Sequence, residues 1–92
     1  MTEQAIETYL NENKDRFLEE LKDFLRIPSV SADPSHDGDT KRCAKWVRDH
    51  LLSLGMETVE IHETDGHPIV YAAHCKHDDK PTVLLYGHYD VQ

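Results

Sequence analysis

Thr82-Val83-Leu84-Leu85-Tyr86-Gly87-His88-Tyr89-Asp90-Val91-Gln92 is the stretch on which the fold turns. Its opening, Thr82 to Tyr86, is an uncharged and mostly apolar run. A strand apolar on both sides reads as a central strand covered on both faces. Residues that can do chemistry follow at once. In open α/β sheets, ligands and catalytic groups gather at the carboxyl ends of strands. Gly87 lets the backbone leave the sheet, or lets another group approach closely. His88 and Asp90 are two apart, so in an extended segment they point the same way. That arrangement suits a metal-binding histidine: one ring nitrogen meets the metal, and the other donates to a carboxylate that fixes the tautomer. A surface loop also explains a His-x-Asp pair, so spacing alone leaves both readings open.

Working outward, Pro68-Ile69-Val70-Tyr71-Ala72-Ala73-His74 reads as a strand. Glu57-Thr58-Val59-Glu60-Ile61-His62-Glu63 alternates polar and apolar, the pattern of a half-buried strand. Asp65-Gly66 between them is a turn signal, so the two are expected to pair antiparallel. Upstream, Cys43, Val47, Leu51 and Leu54 form one stripe of a helix from about Asp39 to Leu54, with Asp39 or Thr40 as its N-cap. Gly55 is placed to close it in the left-handed conformation. Pro28 to Gly38 is an irregular loop. The first segment, about Thr2 to Arg26, repeats Ile6, Leu10, Phe17, Leu21 and Phe24 at helical spacing, with Glu12 and Arg16 able to pair across one turn. Pro28 ends it. The expected class is therefore α/β: two N-terminal helices, then three strands, in a mixed sheet. A strand buried on both faces needs more cover than two helices supply. Residues 1–92 are thus expected to be an incomplete piece of a domain that continues beyond Gln92.

Composition sets limits. The chain has 92 residues, 38% hydrophobic and 30% charged, as an ordered protein does. Its net charge is −8, with 18 acidic against 10 basic residues. Nucleic-acid binding needs clustered Lys and Arg, and none is present. The acidic balance disfavours anionic membranes, and no apolar stretch reaches the roughly 18 residues of a membrane span. The polar, acidic N-terminus lacks the features of a signal peptide. Cys43 and Cys75 form no CxxC pair, which suggests a reduced, cytoplasmic protein and leaves a disulfide between them open.

Leu84 to Gln92, and above all Tyr86-Gly87-His88-Tyr89-Asp90-Val91-Gln92, resembles the first active-site signature of the aminoacylase/carboxypeptidase-G family of dinuclear zinc peptidases, peptidase family M-twenty. The form is most similar to its carnosine-dipeptidase and non-specific dipeptidase branch. Ile27-Pro28-Ser29-Val30-Ser31 resembles the loop that follows the first helix in that family. The resemblance implies that His88 ligates one metal and that Asp90 is the active-site carboxylate orienting it. It further implies a parent with two divalent metals, zinc or alternatively manganese, that activate a water for hydrolysis of a dipeptide. An N-acyl amino acid is the alternative substrate. A homodimeric parent with a lid or dimerisation domain is also implied. The remaining ligands and the general base are absent from these residues, so the chain alone is expected to be inactive. As a piece of a domain, it is expected to self-associate through uncovered faces.

Other candidates are weaker. His74-Cys75-Lys76-His77 lacks zinc-finger spacing and reads as a polar strand end. His50 fits helix packing, and His67 precedes a proline in a turn. Cys43 lies on an apolar stripe, as a buried structural thiol does. Ser29 and Ser31 lack the G-x-S-x-G setting of a serine nucleophile.

Overall fold

The computed structural model describes all 92 residues, Met1–Gln92. Helix α1 spans Glu3–Leu25, and Thr2 caps it by accepting from the Ala5 amide at 3.1 Å. Arg16 pairs with Glu20 at 2.7 Å, one turn ahead, rather than with Glu12 one turn behind. It also reaches back to Asn13 Oδ1 at 3.0 Å, so the guanidinium bridges the turns on either side of it. Helix α1 contains no buried residue. Its C-terminal half is the part that docks: Phe24 lies 5.3 Å from the Trp46 ring, which stacks in turn on His50. Ile6, Leu10 and Leu21 of the apolar stripe stay about half exposed.

Helix α2 spans Asp37–Ser53, two residues earlier than the sequence pattern suggests. The reason lies in Asp33. Its carboxylate accepts from the Ser35 amide at 3.0 Å and the Ser35 hydroxyl at 2.8 Å, capping a single 3-10 turn, Pro34–His36, that runs straight into α2. Those bonds hold the Asp33 carboxyl below the usual carboxylate range. Thr40 is therefore not a cap. It is fully buried, and its hydroxyl donates to the His36 carbonyl at 3.1 Å. Cys43 and Ala44 are also fully buried on this helix.

Gly55 follows α2 with φ +87°, the one positive φ in the chain. A Cβ there would meet nothing within 4 Å, so the constraint is torsional rather than steric crowding. Gly55→Ala is expected to destabilise the fold by about 1–2 kcal/mol, the cost of holding an L-residue left-handed. Urea unfolding followed by Trp46 fluorescence measures it, with a lower midpoint at unchanged slope.

Strands β1 (Thr58–His62) and β2 (Ile69–Ala73) pair antiparallel, with Glu60 opposite Tyr71. Val59 faces Ala72 and Ile61 faces Val70; these four and Ala73 are the half-buried positions, and α2 packs against both strands. Thr58, Glu60 and His62 look outward. The period of two in the sequence thus matches the buried face. Thr64 organises the turn, accepting from the Gly66 amide and donating to the His67 carbonyl.

The expected third strand does not form, and the sheet is two-stranded and antiparallel rather than mixed. Residues 82–90 make no backbone–backbone hydrogen bond. A strand exists only when a neighbour satisfies its peptide groups, and none lies beside this run. Nor is the run buried: Val83 is 77% exposed, Leu84 90%, Leu85 89% and Tyr86 92%. Apolar character there records a demand for burial that these residues do not meet. Gly87 has neither a positive φ nor a neighbour within 4 Å of a Cβ, so nothing around it requires glycine.

Candidate metal site

The far end of the exposed run is held by the loop after α1. Val30 and Val91 form a parallel bridge: the Val91 amide donates to the Ser29 carbonyl, and the Ser31 amide to the Val91 carbonyl, both at 2.9 Å. Side chains reinforce it. Ser29, 2% exposed, donates from its hydroxyl to the Tyr89 carbonyl at 2.9 Å. The Cys43 thiol reaches the same carbonyl at 3.6 Å. Tyr89 donates its phenol to the Pro68 carbonyl at 2.5 Å, tying the segment to the start of β2. Burial pushes both the Cys43 thiol and the Tyr89 phenol up from their ordinary values. Tyr89 is thus fixed from three directions, and its neighbours His88 and Asp90 are positioned through it.

His88 and Asp90 meet. His88 Nδ1 lies 2.9 Å from Asp90 Oδ1 and 3.1 Å from the Asp90 carbonyl oxygen. A carbonyl oxygen and an ionised carboxylate can only accept, so Nδ1 carries the proton. The lone pair then sits on Nε2, on a side chain that is 76% exposed. The Asp90 carboxyl is held below the usual carboxylate range, first by the Ser31 hydroxyl and then by His88. Ser31 Oγ donates to Asp90 Oδ2 at 2.5 Å, within the range of a charge-assisted bond. His67 Nε2 donates to the Ser31 carbonyl at 2.9 Å. A cleft of about 720 Å³ opens beside these groups, lined by Phe24, Val47 and Leu51 as well as His67, His88 and Asp90.

A neutral imidazole with Nδ1–H on a carboxylate and a free, exposed Nε2 is the donor that a divalent metal takes. The set is one ligand deep. A catalytic zinc needs roughly three protein ligands. Among the described residues no group of three or more His, Cys, Asp or Glu is disposed around a common point. His36 turns to Asp39, and Lys76 to Glu57. Both cysteines are free, Cys43 buried and Cys75 exposed, so the possible disulfide is not present. No helix is long and apolar enough to cross a membrane.

The chain is similar over most of its length to known dipeptidases. It is 34% identical over 95 aligned residues, 90% of the chain, to a Cys-Gly metallodipeptidase of Candida albicans. It is 36% identical over 92 to a Cys-Gly metallodipeptidase of Schizosaccharomyces pombe, and 32% over 82 to a cysteinylglycine-S-conjugate dipeptidase of Corynebacterium striatum. The likeness is to part of these metallodipeptidases. It spans about a fifth of the length of these curated relatives. No family model and no solved structure matches it.

The pairing of His88 with Asp90 follows from their spacing. Ser31, Ser29 and His67 do not follow from spacing. Ser29 and Ser31 fail as nucleophiles in sequence, yet both serve as hydrogen-bond donors to the His88–Asp90 segment. Only the likeness of the Ile27-Pro28-Ser29-Val30-Ser31 loop to a family loop set them apart beforehand.

Proposed function

We propose that the chain is the portion of a metal-dependent dipeptidase that supplies one ligand of a two-metal centre, His88, and the carboxylate that orients it, Asp90. The supporting observation is the contact of Nδ1 with Asp90 Oδ1 at 2.9 Å, which leaves Nε2 free on an exposed side chain. When bound, the metal lowers the pKa of a water and polarises a peptide carbonyl. His88 holds the metal through Nε2. Asp90 keeps the proton on Nδ1 and prevents the ring from turning. Tyr89, anchored to Ser29 and Pro68, holds the backbone between them still. Zinc is the favoured metal and manganese the alternative. Dipeptides are the favoured substrates, since the relatives named above are dipeptidases; N-acyl amino acids are the alternative within the same family.

The test is hydrolysis by the protein expressed from the complete reading frame that contains these residues, loaded with zinc or manganese. Release of amino acids from dipeptides such as Cys-Gly, ahead of release from N-acyl amino acids, is the expected result. Turnover of neither class contradicts it. The 92 residues alone are expected to give no turnover with either metal, because a single ligand cannot hold a catalytic ion. A second reading concerns the isolated chain. Leu84, Leu85 and Tyr86 are almost fully exposed in sequence with Val83, a surface that favours self-association.

A further inference from the structure

We infer that Ser31 is a positioning residue for the metal centre, holding Asp90 in the one orientation that presents His88 Nε2; this rests on the proposed role of His88. A lone carboxylate is a poor clamp. Asp90 is two-thirds out of contact with solvent but its side chain can still turn about two bonds, and each oxygen is equivalent until something distinguishes them. Ser31 makes the distinction. Its hydroxyl takes Oδ2 at 2.5 Å, and Oδ1 is left for His88 Nδ1 at 2.9 Å. The two bonds converge on the carboxylate, Ser31 O–H donating to Oδ2 and His88 Nδ1–H to Oδ1.

Ser31 is itself placed with unusual redundancy for a loop residue. Its amide donates to Val91 in the parallel bridge, and its carbonyl accepts from His67 Nε2 at 2.9 Å. Backbone on both sides of the hydroxyl is thereby fixed to the segment that carries Asp90 and to the turn before β2. The contact spans 59 residues of sequence, so neither local helix nor sheet geometry creates it. The hydroxyl has two acceptors in reach, Asp90 Oδ2 at 2.5 Å and the Val91 carbonyl at 3.3 Å, and the nearer, charged one is the orienting carboxylate.

The experiment reads the His88 tautomer directly. Protein from the complete reading frame is labelled with 15N-histidine and stripped of metal. Its imidazole nitrogens are observed at a pH where free imidazole is neutral, with His88 assigned through His88→Gln. The wild type is expected to show His88 as the Nδ1–H form. Ser31→Ala and the near-isosteric Ser31→Cys, whose thiol is a weak donor, are expected to give a mixture of tautomers. Ser31→Thr restores the single form. Zinc affinity is expected to fall by roughly 10-fold in Ser31→Ala and to recover in Ser31→Thr, as for other outer partners of metal ligands; Ser31→Cys is read by tautomer alone, because a thiolate can itself bind zinc. Ser31→Cys carries the test if Ser31→Ala does not fold. A single Nδ1–H form that persists in the folded variants overturns the role of Ser31 and leaves the proposed function intact. Zinc that leaves the wild-type Nε2 shift unchanged instead overturns the proposed function, whatever the Ser31 variants do.

Discussion

His88→Ala, introduced into the protein made from the complete reading frame, is expected to lower zinc affinity at its site by more than ~100-fold. Losing an outer partner of a metal ligand costs roughly 10- to 100-fold, and here the ligating atom itself is removed. The fold is expected to be unaffected. The His88 side chain is 76% exposed, and its hydrogen bonds go only to Asp90. Truncating an exposed side chain of this kind changes stability by no more than about 0.5 kcal/mol. Asp90 remains held by Ser31. The separation is the point of the prediction: affinity collapses while the urea midpoint stays put. Calorimetric zinc titration beside urea unfolding measures both. A parallel fall in stability would mean that His88 is a structural residue.

The second large effect is expected in the core beneath the site. Cys43 is fully buried, with its sulfur 3.6 Å from the Tyr89 carbonyl. Cys43→Leu adds bulk where there is no room, and overpacking of this kind costs about 1–3 kcal/mol. In a chain that buries 6 of its 92 residues, that is a serious loss. The strain is directed at Tyr89, so the segment carrying His88 and Asp90 moves before the β1–β2 hairpin does. The same burial gives a simple measurement. The thiolate is the reactive form, and burial raises the Cys43 pKa while Cys75 is exposed. A thiol reagent is therefore expected to modify Cys75 quickly and Cys43 only as the structure opens. Cys43→Leu, with the lower stability read by urea unfolding, is expected to increase chymotryptic cleavage after Tyr89 in the 82–92 segment.

Local elements were legible in the sequence because each carries its own signal. Gly55 marks the end of α2 by capping chemistry, and the alternation through Val59 and Ile61 marks the inward face of β1. The His88–Asp90 contact was legible for the same reason: two residues apart in an extended stretch, they have little choice but to meet. What failed was inference about partners. Leu84 and Leu85 state that a residue wants to be buried, not what buries it or which strand lies alongside. The start of α2 was misjudged because Asp33 caps a turn that has no periodic signature of its own. The clasp of Ser29 and Ser31 on Tyr89, Asp90 and Val91 was invisible for a different reason. A single bridge between segments about sixty residues apart leaves no repeat to detect, and serines are common in loops for many reasons.

Where a metal sits in the complete protein is the most direct question to put to this site. Zinc-edge anomalous scattering from crystals of the zinc-loaded protein locates the ion without reference to sequence. The expected result is a peak about 2.0–2.1 Å from His88 Nε2, with Nδ1 still on Asp90. A zinc peak bound through Nδ1, or zinc bound elsewhere with His88 Nε2 left free, would contradict the role given to His88 and Asp90.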